Sequence, residues 1–335
     1  DDKPCSALIE ETRRQLMQKY FQLKVGEGYY QHGYHGTSTG TPGRVSIIIP
    51  AYNNLELTLQ TIQAVQDNTV YQDYELILVD NASADGTREE FQNHPEVIYL
   101  RNEQNIGFAR ANNLAAETAT GEFLMLLNND TIVQPGWLTH LVESLEPDVG
   151  IVGARLIYPD QTIQHAGVVF GKGEHTPYHI YSGMPMRHPA VNRRREFNAV
   201  TAACMLVRRQ LFADVKGFNE NYINCYEDID LCLKAKRTGW RIIYEPRSLV
   251  IHLEGKSAGR QDKITHGYLL LMDRWREQLQ QDDLAFFAED GFQIVPQGRG
   301  EMLREDSRRL ALEWLAEADR LLLEGKLHDV DWILR

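Results

Sequence analysis

The chain has 335 residues, of which 43% are hydrophobic and 24% charged, and its formal net charge is −12. That is ordinary for a globular protein and long enough for one large α/β domain with appendages or for two domains. The acidic balance argues against nucleic acid as a partner, which needs a basic footprint, and no apolar run approaches the ~18 residues of a transmembrane segment.

Residues 5–23 carry Leu8, Ile9, Leu16, Tyr20 and Phe21 at helical spacing. Residues 26–43 are rich in Gly, Tyr, His, Ser and Thr and read as a linker, so 1–44 is expected to be an N-terminal helix and linker. Residues 45–50 (VSIIIP) form the first strong strand, β-branched and ended by Pro50. A polar loop, Ala51, Tyr52, Asn53 and Asn54, leads into an amphipathic helix over 55–68. This βα turn lacks G-x-G-x-x-G, which excludes a dinucleotide site of that kind. It offers an aromatic ring and amides, groups suited to a base or a ribose.

Residues 74–79 (YELILV) give a second strand that ends at Asp80, a carboxylate able to accept a hydrogen bond from a base or ribose. Asp85, Gly86 and Thr87 are turn and cap residues before a short helix. A short strand over 97–100, a loop, and a helix over 108–118 follow. Then comes an unbroken apolar run, Phe123 to Leu127, of the kind buried on both faces of a parallel sheet. It stops abruptly at Asn128, Asn129 and Asp130. Ligands of open α/β sheets bind at the carboxyl ends of strands, and a carboxylate there can ligate Mg²⁺ or Mn²⁺. A polar turn ahead of Pro135 and Gly136 is the equal alternative at this stage.

Strands are expected over 150–157 and over 198–207, with an irregular stretch containing Arg193, Arg194 and Arg195 between them. Residues 226–238 form a helix with Glu227, Asp228 and Asp230 in its first turn. Carboxylates there are favoured by the helix dipole whatever their function, but three within four residues also make Asp228 a candidate general base. Strands over 241–244 and 249–252 end at His252, a possible metal ligand. Helices are expected over 263–281 and 301–324. Cys5, Cys204, Cys225 and Cys232 form no C-x₂-C pair, so neither a zinc site nor a disulfide framework is indicated. A reduced, cytoplasmic protein is the expectation. No signal peptide is evident, and a start at Asp1 leaves open that the sequence is a piece of something longer.

Taken together, these pieces resemble the inverting family 2 glycosyltransferases of the GT-A fold. The matching stretches are VSIIIPAYN (45–53), VDNAS (79–83), NIGFARAN (105–112), LNND (127–130), EDID (227–230) and His252, in the family's order and spacing. IQHAGVV (163–169) and HLEGKS (252–257) look like the bacterial branch that builds surface polysaccharides. The resemblance implies an α/β GT-A fold: a mostly parallel, Rossmann-like sheet flanked by helices over 45–262, with helical extensions at 1–44 and 263–335. It implies that Pro50, Ala51, Tyr52, Asn53, Asp80, Asn112, Asn129 and Asp130 bind a nucleotide-diphospho-sugar. Asp130 and His252 would hold Mn²⁺ or Mg²⁺, Asp228 would be the base, and Glu227 and Asp230 would position the acceptor or the helix. The chain departs from the family in having Asn128 and Asn129 where many members carry acids, which should weaken metal binding in the absence of nucleotide.

The activity implied is metal-dependent, inverting transfer of a hexosyl or deoxyhexosyl group to a glycan or lipid-linked glycan. Association with the inner face of the membrane, and with other domains of a larger polypeptide, is left open. Two other readings are weighed. A nucleotidyltransferase would need a Gly-rich loop after the first strand. A non-catalytic sugar-nucleotide-binding scaffold would have no use for Asp228.

Overall fold

The computed structural model describes residues 43–172, 176–223, 225–253, 260–297 and 300–323. The helix and linker expected over 1–44 therefore lie almost wholly outside the described residues, as does the HLEGKS stretch beyond Leu253. The chain divides into two compact units, one of 38–186 with 191–282 and one of 1–37, 187–190 and 283–335.

The larger unit is a mixed sheet with helices. Strand β1 (Val45–Ala51) is buried along its whole length and pairs in parallel with β2 (Tyr74–Asp80) on one side and β4 (Phe123–Leu127) on the other. Strand β3 (Ile98–Arg101) extends the parallel set beyond β2. Helices α1 (Leu55–Asn68), α2 (Thr87–Phe91) and α3 (Phe108–Thr118) make the crossovers. The apolar runs pack as their composition demands: Ile47, Ile48, Leu124, Met125, Leu126 and Leu127 are all fully buried. The polar exception is Glu75, opposite Ser46, whose carboxylate accepts from Ser46 Oγ at 2.5 Å and from the Thr120 amide at 2.7 Å.

The second half of the sheet adds β5 (Thr131–Val133), helix α4 (Trp137–Glu143), β6 (Val149–Ile157) and the short strand β7 (Ile163–His165); β8 (Val168–Phe170) and β9 (Pro177–His179) then pair with each other as a separate two-stranded sheet, and β10 (Arg195–Glu196) returns to the main one. It continues through β11 (Cys204–Arg208), α5 (Arg209–Asp214), α6 (Glu227–Arg237), β12 (Arg241–His252) and α7 (Arg260–Trp275). The strand order is β10-β12-β6-β11-β4-β1-β2-β3. β11 runs antiparallel between β4 and β6, while β12 is parallel to β6.

Three expectations change. The strand expected over 198–207 begins only at Cys204, because residues before it cross β6 instead of pairing in the sheet. At Gly153 an added Cβ would lie 2.5 Å from Val200, so only glycine admits that crossing. The two strands expected over 241–252 are one strand with a register shift between Glu245 and Leu249, a span holding Pro246, which lacks an amide donor. The helix expected over 301–324 begins later. In the smaller unit β13 (Phe292–Gln297) and β14 (Gly300–Glu305) form a hairpin between α8 (Asp283–Glu289) and α9 (Ser307–Leu323). Within that unit the buried His188 ring lies 5.9 Å from the Phe292 ring and pairs with Glu305 at 3.2 Å.

Candidate functional site

Polar groups gather at the carboxyl ends of β1, β2 and β4, where the backbone leaves the sheet. Pro50 and Ala51 are buried in β1, and Tyr52 beyond them is 49% exposed. Asn53 and Asn54 follow with φ of 57° and 60°. Asparagine tolerates this left-handed geometry better than most residues. Two successive left-handed residues turn the chain sharply, so that the Asn53 amide donates to Ser83 Oγ at 2.7 Å and Asn53 Oδ1 accepts from the Ala84 amide at 2.9 Å. The β1–α1 and β2–α2 loops are thereby tied into one rim.

Asp80 is fully buried at the end of β2, in register with Ala51 on one side and Arg101 on the other. Its oxygens accept from the Ser83 amide at 2.7 Å, from Tyr99 Oη at 2.5 Å and from the Arg101 guanidinium. Burial opposes its charge, but the Tyr99 and Ser83 hydrogen bonds and the Arg101 cation outweigh it and hold the carboxyl below its usual range. Asn112, on α3, is also fully buried. Its Nδ2 donates to Phe108 O at 2.9 Å, and among the described residues its Oδ1 has no partner.

Sheet register brings the next two candidates together. β5 pairs antiparallel with β12, placing Thr131 opposite His252. The Leu253 amide donates to Asp130 O at 2.9 Å, and His252 Nε2 lies 3.0 Å from Asp130 Oδ1. Asn128 Nδ2 lies 3.3 Å from the same ring nitrogen. Asn129 turns the other way and donates to Thr58 Oγ1 on α1 at 3.0 Å. Asp130 and His252 are thus a carboxylate and an imidazole side by side. Among the described residues no cluster of three or more His, Cys, Asp or Glu side chains is arranged to hold a metal ion.

The acidic cluster of α6 divides by environment. Tyr226, with φ of 69°, turns the chain into the helix. Glu227 is buried, its Oε2 has no partner among the described residues, and burial followed by repulsion from Asp228 pushes its carboxyl up to about 8. Asp228 is half-buried and bonded as a carboxylate should be: Oδ2 accepts from the Ala202 amide at 3.1 Å and Oδ1 from the Ile229 amide at 2.9 Å. Asp230 is fully buried and faces α7, accepting from Trp275 Nε1 at 2.8 Å and Arg274 Nε at 3.0 Å, with Lys234 Nζ at 3.6 Å.

The Asp228 and Asp130 regions meet through a short piece of backbone. Ala202 holds Asp228, and the carbonyl of Ala203 accepts from the Asn128 amide at 3.0 Å. Sequence reasoning did not find Tyr99, Arg101, Thr58 or the 201–203 segment. Only Arg101 carried a signal, as a cation in register with a strand-end carboxylate. Of the basic run 193–195, Arg194 pairs with Glu146 at 2.8 Å, and Arg195 lies in β10. Among the described residues no helix is long and apolar enough to cross a membrane.

Comparison with known proteins adds a family and a fold. The family described as "Glycosyl transferase family 2" matches residues 46–215. An uncharacterized protein, y4gI, of Sinorhizobium fredii is 37% identical over 235 residues, covering 67% of this chain and 26% of that protein. The O-antigen biosynthesis protein RfbC of Myxococcus xanthus is 34% identical over 238 residues, covering 67% of this chain and 18% of that protein. The chain thus matches about a quarter or less of the length of these relatives. Among solved structures, a mannosyltransferase from Pyrobaculum calidifontis in complex with GDP-Man and Mn²⁺ superposes with a TM-score of 0.55 at 16% identity, over 98% of this chain and 84% of that one. That likeness is one of fold, and it agrees with the α/β sheet described above.

Proposed function

The chain belongs to glycosyl transferase family 2, and on that premise we propose that it moves a sugar from a nucleotide-diphospho-sugar to a hydroxyl of a surface glycan or its lipid-linked precursor, with inversion at the anomeric carbon. The observation that carries the reading is the joining of two chemically different centres at one sheet edge. Asp130 beside His252 is one, Asp228 is the other, and residues 202–203 link them. The nucleotide would lie along the rim of Ala51, Tyr52, Asn53 and Asp80, with the unpartnered Asn112 Oδ1 below it.

Asp130 and His252 fit a divalent cation. Mg²⁺ and its like are commonly held by one or two protein ligands, with substrate phosphates and water completing the shell. With only this pair available, affinity would depend strongly on the bound nucleotide, in line with the replacement of acids by Asn128 and Asn129. Mn²⁺ or Mg²⁺ in that place would offset the negative charge that grows on the departing diphosphate.

Asp228 would take the proton of the acceptor hydroxyl as the hydroxyl attacks the face opposite the leaving group. The division within the cluster supports this assignment. Burial, then repulsion from Asp228, pushes the Glu227 carboxyl up to about 8, so at pH 7 it is mostly protonated and poorly suited to act as the base, whereas the half-buried Asp228 is reached from outside. Glu227 and Asp230 then position the helix that carries Asp228. The relative RfbC, named for O-antigen biosynthesis, supports a glycan acceptor.

The test is a donor screen. UDP-, GDP- and dTDP-sugars are incubated with the protein with and without Mn²⁺, and diphosphate release and thermal shift are read. One metal-dependent donor is expected. Asp228→Asn should keep the thermal shift and lose about 10²–10⁴-fold in turnover. Absence of turnover with every donor refutes the transferase, and an unimpaired Asp228→Asn refutes the base.

A further inference from the structure

The strand β7 lies outside every role assigned so far, yet two adjacent residues of it touch the two halves of the site. Gln164 is buried, and its Oε1 lies 2.5 Å from His252 Nδ1. An amide oxygen has no proton to give, so Nδ1 is the donor. The ring therefore turns Nε2 towards Asp130 Oδ1, 3.0 Å away. Imidazoles that bind metals are commonly oriented in this way, through a hydrogen bond from the other ring nitrogen.

His165, the next residue, is fully buried. Its Nδ1 lies 3.0 Å from the carbonyl of Ala154 and must donate to it, and its Nε2 accepts from the Thr201 amide at 3.2 Å. The ring is thereby held neutral in one tautomer. Burial, reinforced by the neighbouring His179, keeps its pKa well below the usual histidine value. The bond to Thr201 fixes the backbone one residue before Ala202, whose amide holds Asp228, and two before Ala203, whose carbonyl holds Asn128. Successive residues of a strand point to opposite faces, so one short strand can serve both centres.

We propose that Gln164 and His165 are positioning residues of the transfer site: Gln164 sets the face that His252 presents to Asp130 and the donor diphosphate, and His165 sets the amide that aims Asp228. The inference rests on the functional reading above, but its test does not need turnover.

The experiment uses the full chain without metal, labelled with ¹⁵N-histidine and ¹⁵N-alanine. In the unaltered protein, the His165 ring-nitrogen shifts should report Nδ1–H with an accepting Nε2, and both His252 ring nitrogens should show hydrogen-bonded shifts, Nδ1 to Gln164 and Nε2 to Asp130. Gln164→Leu should shift the His252 Nδ1 resonance, which loses its partner, and weaken Mn²⁺ binding in the presence of UDP by about 10–100-fold. Gln164→Glu, which keeps the acceptor oxygen, should restore both. His165→Leu should shift the Ala202 amide resonance and leave Mn²⁺ affinity within about twofold. His165→Gln, whose oxygen reaches close to where Nε2 sat, should return the resonance towards its original place. With the donor found by the screen, His165→Leu should lower kcat about 10–100-fold at unchanged donor KM, an outer-shell loss of the usual size.

An unchanged His252 shift in Gln164→Leu overturns the first assignment. A His165→Gln variant no better than His165→Leu overturns the second. Parallel loss of Mn²⁺ affinity and kcat in every variant would mean that β7 is merely structural. If no donor turns over while the resonances behave as stated, the functional reading fails, and with it the transfer role; what stands is that Gln164 orients the His252 ring and His165 the Ala202 amide.

Discussion

Replacing Glu227 with Gln should stabilise the protein at neutral and alkaline pH, by an amount that grows with pH. Glu227 is buried at the first residue of α6 with Oε2 unpartnered, and burial followed by Asp228 pushes its carboxyl from 4.5 up to about 8. An acid with a raised folded pKa must gain a proton on folding. Its stability contribution is therefore intact below the unfolded value of 4.5 and is lost as pH rises through about 8. Each pH unit in that window is worth about 1.4 kcal/mol. Three units, from pH 5 to pH 8, therefore give an upper limit of about 4 kcal/mol. Glutamine fills the same space and does not titrate. The assay is urea unfolding of both proteins at pH 5, 6, 7 and 8 at constant ionic strength, plotting the difference in unfolding free energy. A difference that climbs steadily is expected. Two parallel curves would show that the Glu227 carboxyl titrates near its ordinary value and would remove the reason for setting Glu227 aside as the base.

Three further outcomes follow from the same geometry. Asp130→Ala should abolish Mn²⁺-dependent stabilisation by nucleotide in a thermal-shift titration while leaving the Tm of the free protein within a few degrees; retained metal dependence would exclude Asp130 as a ligand. Asp230→Ala leaves Arg274, Lys234 and Trp275 without their shared acceptor, and removing one partner of a buried pair costs about 3–5 kcal/mol, measurable as a lowered urea midpoint. Asp80 has a depressed pKa, so its contribution is present at neutral pH and lost as pH falls below its unfolded value; Asp80→Asn should cost on the order of 2 kcal/mol at pH 7 and much less at pH 3, and an equal cost at both would contradict the bonding described.

The strands β1, β2 and β4 were legible because a strand buried on both faces must be apolar throughout, and Ile47 to Ile49 and Leu124 to Leu127 are. Helix α1 was legible to its ends for the converse reason, a polar loop and then a regular apolar stripe. The hairpin of β13 and β14 was not: Met302 and Leu303 continue the apolar spacing of α9, and only the pairing with Phe292 to Gln297 makes them strand residues. Similarly, the alanines and valine before Cys204 read as strand by composition, whereas contact of Val200 with Gly153 takes them across the sheet.

The same contrast runs through the site. Asp80, Asp130, Asp228 and His252 could be marked from sequence because each stands at the end of an element whose type was readable. What holds them could not, because it is largely backbone: the amides of Ser83, Ala202, Ile229 and Leu253, and the carbonyl of Ala203. Backbone groups carry no residue identity, so their partnerships appear only once register and crossing are known. β5 shows how much depends on this. It is three residues long, but its pairing with the end of β12 brings Asp130 to His252 across 122 positions of sequence. A register slip of one residue would turn His252 to the opposite face of its strand and separate the pair.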